Sequence, residues 1–328
     1  MRGISVVLTP SVLLLSLWAA WATAGTLEQD EALTWLQKIA NAARQLNYQG
    51  TFVYQHGDQV ETSRITHFVD RSGEYEKLET LDGPKREIIR NSTEILSFDA
   101  EHRVVKRERR TPRKAFPALL PEQLTSLTGF YSLRKAEHER IAGFDSMALV
   151  LEPRDQFRYG HKLWADASTG LLLKARMLDE RNHVVEQFMF TQLAIGEGVT
   201  RDSVRPSINP KNPEWRREPV DRVATTLVDT GWIVKNQPAG FRKVLEMKRF
   251  KADSQVPVVH LVFCDGLAAV SVFIEPLQTA KEFQAGLAHQ GAVNIYTHAV
   301  SDQLVTVLGE VPPVTVMQMA NSVSLKGQ

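Results

Sequence analysis

Cysteine is nearly absent from this chain, which has a single thiol, Cys264, in 328 residues. No disulfide can form within a chain that has one cysteine, so the fold must be stabilised by packed cores. A lone thiol is also a weak sign of catalysis, because most free cysteines behave as small buried apolar residues. We interpret Cys264 as such a residue.

An excess of one charge sign is also lacking. Lys and Arg number 39 against 38 Asp and Glu, which gives no overall field to attract nucleic acid. A local basic run lies between residues 103 and 114. Two interpretations stay open for this run: a solvated strand end and loop, or a docking patch for anionic groups such as phosphorylated glycolipid.

Long apolar runs are missing except at the N-terminus, where residues 4–21 follow Arg2 and precede Ala22-Thr23-Ala24. The latter is the small-x-small pattern that signal peptidase accepts. We expect a signal peptide over residues 1–24 and a secreted, soluble mature protein. An uncleaved membrane anchor is the alternative.

Short signatures of catalysis and metal binding are missing too. The chain contains no HExxH, CxxC, GxSxG, GxGxxG or P-loop pattern, and its nine histidines are scattered without metal-ligand spacing. We therefore expect no enzymatic activity, no metal and no cofactor. A carboxylate-based hydrolase has no short signature and stays as an alternative.

The pattern that is present changes from helical to extended near Gly50. Leu33, Leu36, Ala40 and Ala43 recur at helical spacing, whereas short runs rich in β-branched and aromatic residues alternate with turns over 50–193. This predicts an antiparallel meander of about ten strands. Its one interruption, residues 112–128, contains a predicted short helix at 122–127. We expect a large curved sheet with helices over one face.

The proline- and glycine-rich stretch 196–219 has almost no aliphatic periodicity and is predicted to be a linker with few apolar contacts. The predicted division is a signal peptide (1–24), a first domain (25–195), this linker (196–219) and a second domain (220–328).

The second domain reads as a small α+β unit. A strand over 256–263 turns at Asp265-Gly266 into a strand over 267–275. Phe283 and Leu287 suggest a helix, residues 305–308 another strand, and residues 314–323 a closing helix after Pro312-Pro313.

Several segments, in order, are similar to one known family. They are LNYQGTFVY (46–54), LDGPKRE (81–87), RDQFRYG (154–160), TGLL (169–172), EQFMF (186–190), PAGF (238–241), DGL (265–267), SVFIE (271–275) and GEVP (309–312). The chain resembles the RseB/MucB family of periplasmic sigma-E regulators. The resemblance implies a β-rich α+β fold: a large unclosed antiparallel β-barrel like LolA and LolB, covered by helices, plus the smaller α+β domain.

The resemblance also implies a function in the periplasm. The expected partner is the periplasmic domain of a single-pass membrane anti-sigma factor of the RseA/MucA type, gripped largely by the second domain. Binding would shield this partner from regulated proteolysis and keep the sigma factor silent in the envelope stress response. The alternative function is a periplasmic lipid or lipoprotein carrier, which would not need the second domain. A homo-oligomer is left open.

Two sets of candidate binding residues follow. An acyl chain is expected inside the curved sheet and a phosphorylated head group, such as that of lipopolysaccharide, on the basic run. The candidates for this ligand are Phe52, Tyr54, Phe188, Phe190, Arg107, Arg109 and Arg110. The competing interpretation is a packed aromatic core beside a solvated basic loop. The candidates for the partner are Gly240, Phe241 and Phe273.

Overall fold

The computed structural model describes residues 15–109, 116–121, 124–196, 198–209, 212–218, 226–250, 256–279 and 284–327. The predicted signal peptide, residues 1–24, lies largely outside these residues and stays a prediction. No helix in the described ranges combines the length and the apolar character needed to cross a membrane.

The first domain is one helix on a sheet of twelve strands. Its elements are α1 (Leu15–Gln45), β1 (Tyr48–His56), β2 (Gln59–Asp70), β3 (Gly73–Thr80), β4 (Arg86–Arg90), β5 (Glu94–Asp99), β6 (Val104–Arg109), β7 (Tyr131–Ile141), β8 (Phe144–Pro153), β9 (Gly160–Asp166), β10 (Leu172–Leu178), β11 (Val184–Ile195) and β12 (Arg216–Glu218). The order is β12-β6-β5-β4-β3-β2-β1-β11-β10-β9-β8-β7, so β12 and β7 are the two edges and the sheet is not closed.

Helix α1 covers one face of this sheet. Leu36, Ile39 and Ala43 are buried against residues of the inner sheet face such as Leu149 and Leu163. The predicted helical spacing therefore marks the buried side of α1 correctly. Within the interruption of the meander, Glu122 and Gln123 lie outside the described residues, and Thr125–Gly129 forms a 3-10 helix.

Much of the predicted linker packs on the first domain. Strand β12 pairs in parallel with β6, and Ile208 and Trp215 pack on the cluster around Phe98. The backbone N–H of Ser207 donates to Glu87 Oε1 at 2.8 Å. The prediction that residues 196–219 make few apolar contacts is therefore wrong, because Ile208 and Trp215 pack on the first domain. The domain boundaries themselves stay a proposal, and residues 219–225 lie outside the described residues.

The second domain is a seven-stranded antiparallel sheet with a short helix and a two-stranded ribbon. Its elements are β13 (Thr226–Leu227), β14 (Trp232–Val234), β15 (Arg242–Phe250), β16 (Pro257–Cys264), β17 (Ala269–Pro276), β18 (Gly286–Gln290), β19 (Val293–Val300), β20 (Gln303–Gly309), α2 (Pro313–Ala320) and β21 (Val323–Leu325). The sheet order is β13-β15-β16-β17-β20-β19-β18, and β14 pairs with β21.

The core of the second domain lies between this sheet and α2. Val270, Val272 and Ile274 alternate along β17 and are buried with Val316 and Met319 of the helix. The closing helix is confirmed, although it ends at Ala320 because the chain then turns into β21. The helix suggested around Phe283 and Leu287 is wrong at Leu287, which lies in β18, and Phe283 lies outside the described residues. The segment forms a strand because Leu287 pairs with Tyr296 of β19.

Candidate functional site

The four aromatic candidates of the first domain lie together on the inner face of the sheet. Residues two apart in a strand share a face, and β1 pairs with β11 so that Phe52 lies beside Phe190 and Tyr54 beside Phe188. The ring centroids are 6.0 Å apart in the first pair and 4.6 Å apart in the second. Strand register therefore joins two pairs that are distant in the sequence.

The four rings divide into core and cavity wall. Phe190 is 1% exposed and belongs to the packed core. Phe52, Tyr54 and Phe188 line a cavity of about 330 Å³. Phe116, which the sequence analysis missed, stacks on Phe188 with 5.4 Å between centroids. Phe190 is therefore a packing residue, whereas the other rings border a cavity, and the binding of an acyl chain there stays a prediction.

Both domains contribute to the wall of this cavity. The first domain supplies most of it, and Leu267 and Glu310 come from the second domain. Polar groups interrupt the apolar lining at the ion pair of Arg90 with Glu76 and at Glu186. An apolar pocket with few polar groups suits a ligand with an aliphatic body and a polar end.

Glu186 is the most perturbed acid in this cavity. Burial, and then the negative charge of Glu310 across the domain boundary, raise the pKa of Glu186 to about 7. The Tyr54 hydroxyl donates a hydrogen bond to Glu186 Oε2 at 3.1 Å. Burial and the Glu186 carboxylate also raise the pKa of Tyr54, so this phenol stays protonated. The cavity thus holds a carboxyl group that is partly neutral near physiological pH.

A pH dependence of stability follows. Because the folded pKa of Glu186 lies above the ordinary 4.5, its stabilising effect is complete below pH 4.5 and is lost as the pH rises through about 7. We expect Glu186→Gln to match the wild type at low pH and to exceed its free energy of unfolding by about 3 kcal/mol near pH 8. Urea unfolding across this range measures the difference. Glu101→Gln, in an exposed turn, is the control, and equal pH profiles of both variants would contradict the assignment.

Arg158 is the centre of the contact between the domains. Its guanidinium group lies 4.7 Å from the ring centroid of Phe130 in the first domain and 4.9 Å from that of Phe241 in the second. Its Nε donates to Asp265 Oδ2 at 2.7 Å, and both of these side chains are 0% exposed. It also pairs with Asp155 and donates to the carbonyl of Ala239. The buried guanidinium charge of Arg158 therefore has hydrogen-bonding partners in both domains.

Two of the three partner candidates lie in this contact. Phe241 is 1% exposed beneath Arg158. Gly240 has φ +89°, and a Cβ there would lie 2.6 Å from the ring of Phe130 and 2.9 Å from Arg158 Nη2. The structure thus places Gly240 and Phe241 at the contact between the domains, where Phe241 is buried and Gly240 is partly exposed.

The order of the two domains is that of one known family. The family model of the MucB/RseB N-terminal domain matches residues 31–208, and that of the MucB/RseB C-terminal domain matches residues 226–324. The chain belongs to the MucB/RseB family. The first domain's open sheet and the separate smaller sheet domain agree with the fold that the resemblance implied.

Relatives in the MucB/RseB family match over nearly their whole length. The sigma factor AlgU regulatory protein MucB of Pseudomonas aeruginosa is 33% identical over 334 residues, 96% of this chain and 97% of the relative. The sigma-E factor regulatory protein RseB of Escherichia coli K12 is 23% identical over 289 residues, 88% and 89% of the two chains. The solved complex of Pseudomonas aeruginosa MucA and MucB aligns with a TM-score of 0.72 and 30% identity, over 91% of this chain and 100% of that chain. The family is thus one of sigma-factor regulatory proteins.

Phe273 is the partner candidate that lies away from the contact between the domains. It alternates with the buried Val272 and Ile274, so it lies on the sheet face away from the core, where it is partly exposed. Its ring stacks on His260 with 4.2 Å between centroids. Burial, and then Arg249, lower the pKa of His260 to about 4, so the imidazole is neutral. Among the described residues, His260 Nδ1 has no hydrogen-bond partner.

Arg107, the basic candidate whose side chain the structure describes, is not at the cavity. Residues that are paired directly across antiparallel strands point to the same face of a sheet. The successive pairings of Arg107 with Leu96, Leu96 with Ile89, Ile89 with Lys77, Lys77 with Thr66 and Thr66 with Gln49 therefore place Arg107 on the face of Gln49. This face is opposite to that of Phe52. The Arg107 side chain is 57% exposed and pairs with Glu94 at 3.4 Å. Arg109 is the last residue of β6, and Arg110 lies outside the described residues. Of the arginines, Arg90 and Arg176 line the cavity and Arg107 does not.

Cys264 is not among the residues that line the cavity. The Cys264 thiol is half-buried, and the backbone N–H of Gly266 donates to its Sγ at 3.3 Å. No group of three His, Cys, Asp or Glu side chains suitable for a metal ion occurs in the described part of the chain.

Proposed function

We propose that this protein binds the periplasmic domain of a single-pass membrane anti-sigma factor of the MucA/RseA type and so restrains an extracytoplasmic sigma factor. The observation that carries the proposal is the similarity to the MucB chain of the MucA–MucB complex, which extends over both domains. The proposed compartment is the periplasm, reached through the signal peptide over 1–24. The mechanism is occlusion of the partner from regulated proteolysis, with no catalytic step.

The proposed partner surface is the Phe273 face of the second domain. The stacked pair of Phe273 and His260 combines an accessible apolar ring with a buried nitrogen that lacks a partner in the described ranges. Aromatic side chains in such partly buried positions are frequent hot spots of protein interfaces.

Release of the partner is proposed to follow binding of an amphiphile in the cavity. The apolar lining by Phe52, Phe116 and Phe188 favours an acyl chain, and lipopolysaccharide is the proposed natural source. The volume of about 330 Å³ lies near the lower end of ligand pockets, which span roughly 300–1,000 Å³. Eight buried methylenes would contribute about 6 kcal/mol before ordering costs, enough to shift a two-state equilibrium strongly.

A binding experiment tests the partner. We expect the purified anti-sigma periplasmic domain of the same organism to bind the wild-type protein and to bind Phe273→Ala at least about tenfold more weakly, because a stacked interface ring is lost. Biolayer interferometry measures both affinities. Val60→Ala removes an exposed apolar side chain of the first domain and should leave the affinity unchanged.

A cleavage assay tests the consequence. The wild-type protein should slow site-1 cleavage of the same periplasmic domain, and Phe273→Ala should protect it less. Failure of the wild-type protein to bind the domain would overturn the proposal. Binding of amphiphiles without any binding of this domain would instead favour the lipid or lipoprotein carrier.

A further inference from the structure

The turn between β16 and β17 of the second domain contacts the first domain. Leu267, in this turn, packs against the hydrophobic core of the first domain. The same side chain lines the cavity together with Phe52 and Phe188. Leu267 is therefore, with Glu310, one of two second-domain residues in the wall of a cavity formed mostly by the first domain.

The turn is held in place by the carboxylate that pairs with Arg158. Asp265 Oδ2 accepts the Arg158 hydrogen bond. Asp265 Oδ1 accepts from the backbone N–H groups of Leu267 and Ala268 at 2.8 and 2.7 Å. One side chain thus fixes the shape of the turn and anchors the turn to the first domain, so the two cannot change independently.

The tip of the turn lies directly on the first domain. Gly266 has φ +110°, and a Cβ at this position would be 3.2 Å from Leu127 Cδ2. Leu127 is fully buried in the 3-10 helix Thr125–Gly129. Because the backbone of the turn at Gly266 is packed against this core side chain, the turn cannot move further into the first domain. A ligand that takes the space of Leu267 therefore favours outward movement of the turn.

We propose that Leu267 is a plug supplied by the second domain, and that an aliphatic ligand longer than the free cavity displaces it and releases the Asp265–Leu267 turn from the first domain. This inference rests on the proposed amphiphile site and adds how occupation of that site would be transmitted. The ligand chain and Leu267 compete for the same apolar wall. Because of this competition, domain docking weakens the binding of long chains, and bound long chains weaken domain docking by the same factor.

Chain length distinguishes a plug from a passive cavity. Short chains fit beside Leu267, and their affinity should rise about fourfold with each added methylene. Once the free volume is filled, further methylenes must displace Leu267, so the gain per methylene should fall sharply. Undocking of the turn should begin at that same length, since a ligand shifts an equilibrium only by its difference in affinity for the two states.

The experiment uses saturated alkyl phosphocholines of about six to about sixteen carbons below their critical micelle concentrations, in steps of two methylenes. Calorimetry measures binding to the full mature chain. The maleimide labelling rate of Cys264 reports release of the turn, because this half-buried thiol precedes Asp265 and is the sole cysteine of the chain.

In the wild type we expect the affinity gain to level off at one chain length and Cys264 labelling to accelerate at least about tenfold beyond it. In Leu267→Ala the shorter plug should move the break to longer chains and delay the acceleration. Leu287→Ala, on the exposed edge strand β18, should behave as the wild type does. Asp265→Asn keeps the plug but weakens its anchor, so it should label faster without ligand and bind long chains more tightly.

The outcomes separate the two proposals. Binding with an unchanged labelling rate at every chain length, or with the same break in Leu267→Ala and wild type, would overturn the plug and leave the amphiphile site intact. Absence of amphiphile binding in all variants would overturn the amphiphile part of the proposed function together with the plug. The proposed binding of the anti-sigma domain is tested separately, by the affinity measurement with Phe273→Ala.

Discussion

Replacing Arg158 by Met is expected to destabilise the docked domains by about 3–5 kcal/mol, because it leaves a buried carboxylate without its cation. Asp265 is 0% exposed and would keep only its backbone donors. Met preserves apolar contact with the rings of Phe130 and Phe241, so the loss reports the charge and not a large cavity. Urea unfolding measures the change, and small-angle scattering should show a larger radius of gyration when the domains separate.

Two further variants separate charge from packing. Arg134 pairs with Glu152 at 2.9 Å in a half-exposed position, so Arg134→Met should cost no more than about 1 kcal/mol. The double variant Arg158→Met/Asp265→Asn should recover part of the stability, since it removes the uncompensated negative charge. A cost for Arg158→Met no greater than that for Arg134→Met would show that the domains dock without this ion pair.

Phe190→Ala is expected to lower the free energy of unfolding by about 3–5 kcal/mol, as large-to-small changes of buried aromatic residues do. Phe190 is fully buried in the centre of the first domain's core. Phe188→Ala should cost less, because this ring faces the cavity on one side and is only partly buried. The same change should weaken binding of dodecylphosphocholine by about tenfold or more through lost apolar contact.

Urea unfolding and calorimetric titration of the two variants give the comparison. The expected result is a division of roles, with Phe190 acting on stability and Phe188 acting on ligand affinity. Equal losses of stability with unchanged ligand affinity would mean that both rings are packing residues and that the cavity is not a binding site.

The architecture could be predicted because it depends on local periodicity. Alternation at period two over 50–193 gave a meander, and observed strands β1 to β11 follow it closely. The spacing of Leu36, Ala40 and Ala43 marked the buried face of α1. Leu287 was assigned wrongly because a short apolar segment has no decisive period, and pairing with β19 then determined its conformation.

The candidate site was predictable only in part, for reasons of register and docking. Phe52 and Tyr54 share a face by their spacing, as do Phe188 and Phe190, but pairing of β1 with β11 brought the two pairs together. Arg107 was predicted to bind the same ligand as these rings, but the strand register places Arg107 on the other face of the sheet. Gly240 and Phe241 were recognisable as a motif, yet their contact with Arg158 depends on a surface of the other domain.

The sequence by itself determined most of the strand and helix pattern, the two-domain order and the family, because these depend on residue periodicity and on the order of short motifs. Only the tertiary structure decided which side chains meet: the cavity shared by both domains, the buried pair of Arg158 and Asp265, and the entry of Leu267 into the first domain. Contacts between segments far apart in the chain depend on strand register and on the fit of two folded surfaces. Neither is encoded in the spacing of neighbouring residues.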